Sequence, residues 1–159
     1  MYSTKQSEFM QEAIRLSIEN VVSGKGGPFG AVIVKDGKII AHGANSVTST
    51  NDPTAHAEMV AIRNACAVLG TFQLNGCEIY TSCEPCPMCL GAIYWARPDR
   101  MYFANTKNDA ADINFDDQFI YDELELPYQN RRLETIQMMN EEALEAFRKW
   151  TENSNKIDY

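Results

Sequence analysis

A chain of 159 residues, 45% hydrophobic and 23% charged, has the length and composition of one folded domain, which excludes a disordered or fibrous protein. No stretch approaches the roughly 18 apolar residues that a membrane span requires, and Met1–Gln6 leads into an amphipathic pattern rather than an export signal, so the expected compartment is the cytosol. The net charge of −8 is uneven: residues 1–105 carry 8 basic and 9 acidic groups, whereas residues 106–159 carry 6 and 13, an imbalance that argues against a nucleic-acid partner.

From about Ser7 to Val22, Met10, Ile14, Ser17/Ile18 and Val21 recur at helical spacing, which predicts a helix ended by Gly24. Phe29–Val34 and Lys38–His42 flank Asp36-Gly37 and predict a β-hairpin. A polar loop from Asn45 to Thr54 leads into a helix of about Ala55–Leu69, closed by Gly70. Glu78–Thr81 reads as a short buried strand, Pro87–Trp95 as a helix and Arg100–Ala104 as another strand. The acidic, aromatic run Asp109–Tyr121 has no clear class, and Leu133–Met138 is expected to be a last strand. A final helix is expected from an Asn140 N-cap, with Glu141 and Glu142 in its first turn and Arg148 and Lys149 in its last. Strands alternating with helices imply an α/β layered domain, the hairpin giving a mixed sheet.

Five cysteines without an export signal are expected to be reduced thiols. Three fall in Cys83-Glu-Pro-Cys86-Pro-Met-Cys89, at the junction of a predicted strand and helix. Cys86 and Cys89, at i and i+3 of a helix start, share one face, where free N–H groups favour thiolate. With His56, at the start of the preceding helix, they make three ligands for a tetrahedral zinc and leave the fourth position to water, the catalytic arrangement. Zinc lowers the pKa of a bound water from 15.7 to roughly 7, and Glu58 is the candidate to carry its proton. On a regular helix residues i and i+2 point roughly 200° apart, so His56 and Glu58 share a site only if the metal lies off the helix end. Cys83 reads as a buried apolar residue; as a fourth ligand it would close the site.

His56-Ala-Glu58 followed by Pro85-Cys86-Pro-Met-Cys89 resembles the signature of the zinc-dependent nucleobase and nucleoside deaminases. The resemblance runs over nearly the whole chain and is strongest toward the small bacterial guanine deaminases, through Gly26–Gly37, Asn51–Glu58, Tyr80–Pro98 and Phe115–Tyr121. It implies a three-layer cytidine-deaminase-like fold, a mixed five-stranded sheet with helices on both faces, in a single domain spanning 1–159. It also implies hydrolysis of guanine at C2 to xanthine and ammonia, with zinc on His56, Cys86 and Cys89 and with Glu58 moving protons. For the purine it implies walls at Phe29 and Trp95, an amide contact from Asn45, and a carboxylate at Asp117 (with Asp116 as the other candidate) for the N–H edge. It further implies a homodimer in which the helix and tail of about 140–159 are swapped, so that Tyr159 closes the neighbouring subunit's pocket.

Two other readings share part of this pattern. A tRNA adenosine deaminase or a cytosine or cytidine deaminase has both motifs, although an RNA-binding enzyme is expected to carry a basic face. A zinc-stabilised binding module or redox protein predicts a closed four-ligand site that includes Cys83.

Overall fold

The computed structural model describes residues 2–159, which divide into two compact units, one ending at Asp117 and one comprising residues 118–159. The first unit is built on a four-stranded sheet of order β2-β1-β3-β4, where β1 is Gly30–Lys35, β2 Lys38–Ala44, β3 Cys77–Cys83 and β4 Arg100–Asn105. β1 runs antiparallel to β2 and to β3, and β3 runs parallel to β4. The β1–β2 hairpin turns at Asp36 and Gly37, both with positive φ (49° and 67°), the backbone that a two-residue turn of this hand demands.

Alternation along β1 sends Ala31 and Ile33 to one face and Val32 and Val34 to the other. The first face is covered by Ala57, Ala61 and Ala65 of α3 (Ala57–Leu69) and by Ile93 and Ala96 of α4 (Pro87–Ala96). The second is covered by Phe9 and Ala13 of α1 (Thr4–Val22), with Tyr80 between them. Helices thus lie on both faces of a mixed sheet, the three-layer α/β arrangement expected. A short helix α2, Val47–Thr50, interrupts the loop between β2 and α3.

The buried face of α1 is Phe9, Ala13, Ser17 and Asn20, whereas Ile14, Ile18 and Val21 are exposed. The core face thus lies about one step back along the helix from the apolar spacing, sharing Ser17 with it. Close approach decides it at the crossing point: a side chain on Gly30 would strike the carbonyl of Ala13, the Cβ of Leu16 and the amide of Ser17, so the helix packs there backbone to backbone. Gly43 of β2 does the same for α3, since a Cβ there would fall on the Ala57 carbonyl and the Ala61 amide.

The predicted fifth strand is absent. Among the described residues, 133–138 pair with no strand, and Leu133, Ile136 and Met138 are 73–77% exposed, without the ladder or the covered face that a strand needs. The unclassified acidic run contains α5 (Lys107–Ala111), and the second unit begins with α6 (Gln118–Glu125), followed by a 3₁₀ turn at Tyr128–Asn130. Its last element is α7, Asn140–Glu152, whose cap is Met139 with φ 57°, not Asn140. None of the residues described in the second unit is buried.

Candidate metal centre and active site

Helices α3 and α4 bring their N-termini together on one side of the sheet. His56 is the N-cap of α3 (φ −69°, ψ 158°) and Cys86 the N-cap of α4 (φ −64°, ψ 167°), both extended and both without a side-chain capping bond. Their carbonyls start the helices, accepting from Val60 at 3.0 Å and Leu90 at 2.8 Å, while their side chains are left to face each other. Pro87 at the first position of α4 removes an amide that would have had no partner. The geometric difficulty between His56 and Glu58 disappears because His56 stands outside the helix and Glu58 inside its first turn.

His56 Nδ1 lies 3.6 Å from Cys86 Sγ and 3.6 Å from Cys89 Sγ, and the three donor atoms fall within 4.8 Å of one another. Two sulfurs and an imidazole at this spacing fit a tetrahedral zinc with one position open. Cys83 stays out of the cluster: its buried thiol donates to the Thr106 carbonyl at 3.6 Å, and burial pushes it up to about 11. Cys86 is held down to about 4, first by the thiol of Cys89 beside it and then by His56. Cys89 moves the opposite way, because the same contact and its own burial keep its proton on. His56 is pushed up by its bond with Cys86. The contact with Cys89 and His56 thus favours the thiolate at Cys86.

Glu58 is 6% exposed, and burial raises its carboxyl above the usual range, with the Cys86 thiolate adding to the effect. Thr81, at the end of β3, donates its hydroxyl to Glu58 Oε1 at 3.1 Å. Sequence reading missed Thr81, which stands between Tyr80 and Ser82 and carries no local signal that sets it apart.

Asn45, at the end of β2, is buried, and its Oδ1 accepts from the amides of Gly27 (3.3 Å) and Val47 (3.4 Å). These bonds fix the carboxamide and leave its amine as the available donor. Asn20 of α1, also missed, donates from Nδ2 to the carbonyls of Gly27 and Asn45, each at 2.8 Å. Phe29 is half-buried and meets Phe115 edge to face, with ring centroids 4.9 Å apart. Of the two neighbouring carboxylates, Asp116 is exposed, whereas Asp117 is half-buried and within electrostatic range of the cluster: burial first, then Cys86, pushes its carboxyl up. Trp95 stands exposed in the last turn of α4, and Tyr159, also exposed, belongs to the second unit.

Comparison with known proteins agrees with this geometry. The sequence pattern of the cytidine and deoxycytidylate deaminase zinc-binding region matches residues 3–105. The guanine deaminase of Bacillus subtilis is 56% identical over 95% of this chain and 97% of its own length. A tRNA-specific adenosine deaminase of Aquifex aeolicus is 51% identical, but over only 48% of this chain and 51% of its own. The crystal structure of the B. subtilis guanine deaminase superimposes with a TM-score of 0.94 at 55% identity, over 96% of this chain and 98% of that one. With a His-Cys-Cys donor set on two converging helix ends and a buried glutamate beside it, the chain belongs to the zinc-dependent cytidine and deoxycytidylate deaminase family.

Proposed function

We propose that this protein is a zinc-dependent guanine deaminase, hydrolysing guanine at C2 to xanthine and ammonia. The observation that carries the reading is the extent of the likeness: similarity to a guanine deaminase continues through residues 106–159, whereas the A. aeolicus adenosine-type relative matches less than half of the chain. His56, Cys86 and Cys89 hold the zinc. Zinc bound there supplies the Lewis acidity that makes water a nucleophile near neutral pH.

The protein's own groups do the rest. Glu58, buried and tethered, carries protons to the ring nitrogen and the departing amine. Asn45, held by two backbone amides, offers its Nδ2 to a purine acceptor. Asp117 accepts from the N–H edge of guanine, and Phe29 with Phe115 supplies an apolar wall.

Trp95 and Tyr159 complete the pocket in a homodimer whose C-terminal segments are exchanged. The support is physical: the 42-residue segment 118–159 has no buried residue among those described, and so no core of its own. Its Phe147, Ile157 and Tyr159 are 67–70% exposed. The substrate is a free base, not RNA, in keeping with the acidic balance of residues 106–159. No described helix is long and apolar enough to cross a membrane, and the cytosol is the compartment proposed.

Ammonia release from guanine, cytosine, adenosine and a tRNA anticodon stem-loop, with zinc measured on the same preparation, tests the assignment. Turnover of guanine alone is expected. Turnover of the RNA would move the protein to the adenosine branch, and an inactive zinc-loaded protein would favour a binding module. Sedimentation showing only monomer would overturn the exchanged dimer.

A further inference from the structure

Strand β3 sends Cys77, Ile79 and Thr81 to the same face of the sheet, toward α3 and α4. Cys77 and Ile79 are fully buried and apolar; Thr81, 1% exposed and opposite Ala31 in the register, continues that row with a hydroxyl. Valine would fill the same space, suit a strand equally well and avoid desolvating a polar group. What the hydroxyl gains is Glu58: Oγ1 donates to Oε1 at 3.1 Å, across 23 residues of sequence, with both side chains buried. A glutamate in the first turn of a helix otherwise has several rotamers, some turned toward free amides or solvent. Its own backbone amide and the Cys89 thiol also reach the carboxylate, and the bond to Thr81 is the one that ties it to the sheet.

We propose that Thr81 is the positioning residue for the proton-carrying glutamate: its hydroxyl anchors Oε1 to the sheet and reserves Oε2 for proton traffic. This rests on the reading of Glu58 given above. A tether of this kind sets the distance and angle at which the free oxygen meets the substrate, where displacement by about an ångström is worth about a hundredfold in rate.

The test compares Thr81→Val, Thr81→Ser and Thr81→Ala in the full-length, zinc-loaded protein, each also combined with Glu58→Gln. Thr81→Val is expected to lower kcat about 10- to 100-fold, with KM for guanine and zinc retention against a chelator unchanged. Serine is expected to recover most of the lost kcat and alanine none. The Ser/Ala pair, differing only in the hydroxyl, decides the matter even if Thr81→Val does not fold. In the Glu58→Gln background the Thr81 substitutions should add no further loss, since both act through one group. An unimpaired Thr81→Val or Thr81→Ala, a serine variant no better than alanine, or a full additional loss without Glu58 would each overturn the proposal. Loss of activity in Glu58→Gln together with unimpaired Thr81 variants overturns this inference alone; full activity of Glu58→Gln overturns it along with the reading of Glu58 beneath it.

Discussion

The carboxamide nitrogen of Asn20 on α1 is hydrogen-bonded at 2.8 Å to the backbone carbonyl of Asn45, 25 residues away at the end of β2. The same nitrogen holds the Gly27 carbonyl, so one buried side chain ties the turn before Phe29 to the strand end that presents Asn45. Asn20→Ala leaves two carbonyls without their donor and should destabilise the protein by about 2 kcal/mol. Because the two carbonyls flank Phe29 and Asn45, the groups proposed to meet the purine, KM for guanine should rise more than kcat falls. Denaturant unfolding and steady-state kinetics on the same variant check both, and an unchanged KM would separate Asn20 from the pocket.

Gly43→Ala should be far more damaging than its size suggests. The added methyl meets two backbone groups of α3, and a helix backbone cannot step aside as a side chain can. Since α3 carries His56 at its start, the expected result is weaker zinc retention alongside a lower melting temperature. Wild-type zinc content and stability in this variant would show that the helix does not depend on that close approach.

Glu58→Gln keeps the shape of the side chain and its acceptor for Thr81 but cannot take up a proton. It should fold, retain stoichiometric zinc and lose about 10²–10⁴ in kcat. Metal analysis and ammonia release measure the two halves separately. Normal turnover would remove Glu58 from the reaction.

Zinc removal should expose an order of thiol reactivity. Cys86 is half-buried and its thiol is held down to about 4 by Cys89 and His56, whereas burial pushes the thiols of Cys66, Cys77 and Cys83 up. Near pH 7 iodoacetamide should therefore modify Cys86 first, and zinc should protect it. Peptide mass mapping with and without chelator reads this directly; labelling of Cys83 ahead of Cys86 would contradict the charge assignment.

The acidic C-terminal segment can be tested by shortening it. Removal of residues 153–159 should reduce kcat/KM by about tenfold or more, as loss of a closing element does, while leaving the melting temperature nearly unchanged. Equal activity in the truncated protein would free Tyr159 from any part in the pocket.

Most of the metal site was legible because its chemistry is written in local spacing: Cys86 and Cys89 at a helix start, and His56 and Glu58 at another. The hairpin at Asp36-Gly37 was legible for the same reason. What escaped was set by partners distant in the chain. Ile14 and Ile18 look like core by size, yet it is the backbone of Ala13 and Ser17 that the helix sets against the bare Gly30. Asn20 and Thr81 look like chance polar residues until Gly27, Asn45 and Glu58 come within reach of them. Residues 133–138 have the pattern of a strand but no ladder to join.

His56 and Cys86 occupy cap positions without capping their own helices. Each helix therefore begins with amide groups that no cap side chain satisfies, a deficit of about 1 kcal/mol per end. A cation gripped by both cap residues joins two separate segments of the chain into one thermodynamic unit. Apparent stability then becomes a function of free zinc, rising by about 1.4 kcal/mol for every tenfold increase above the dissociation constant. The melting curve of this protein is in effect a zinc titration, and any comparison of its variants holds only at a stated metal activity.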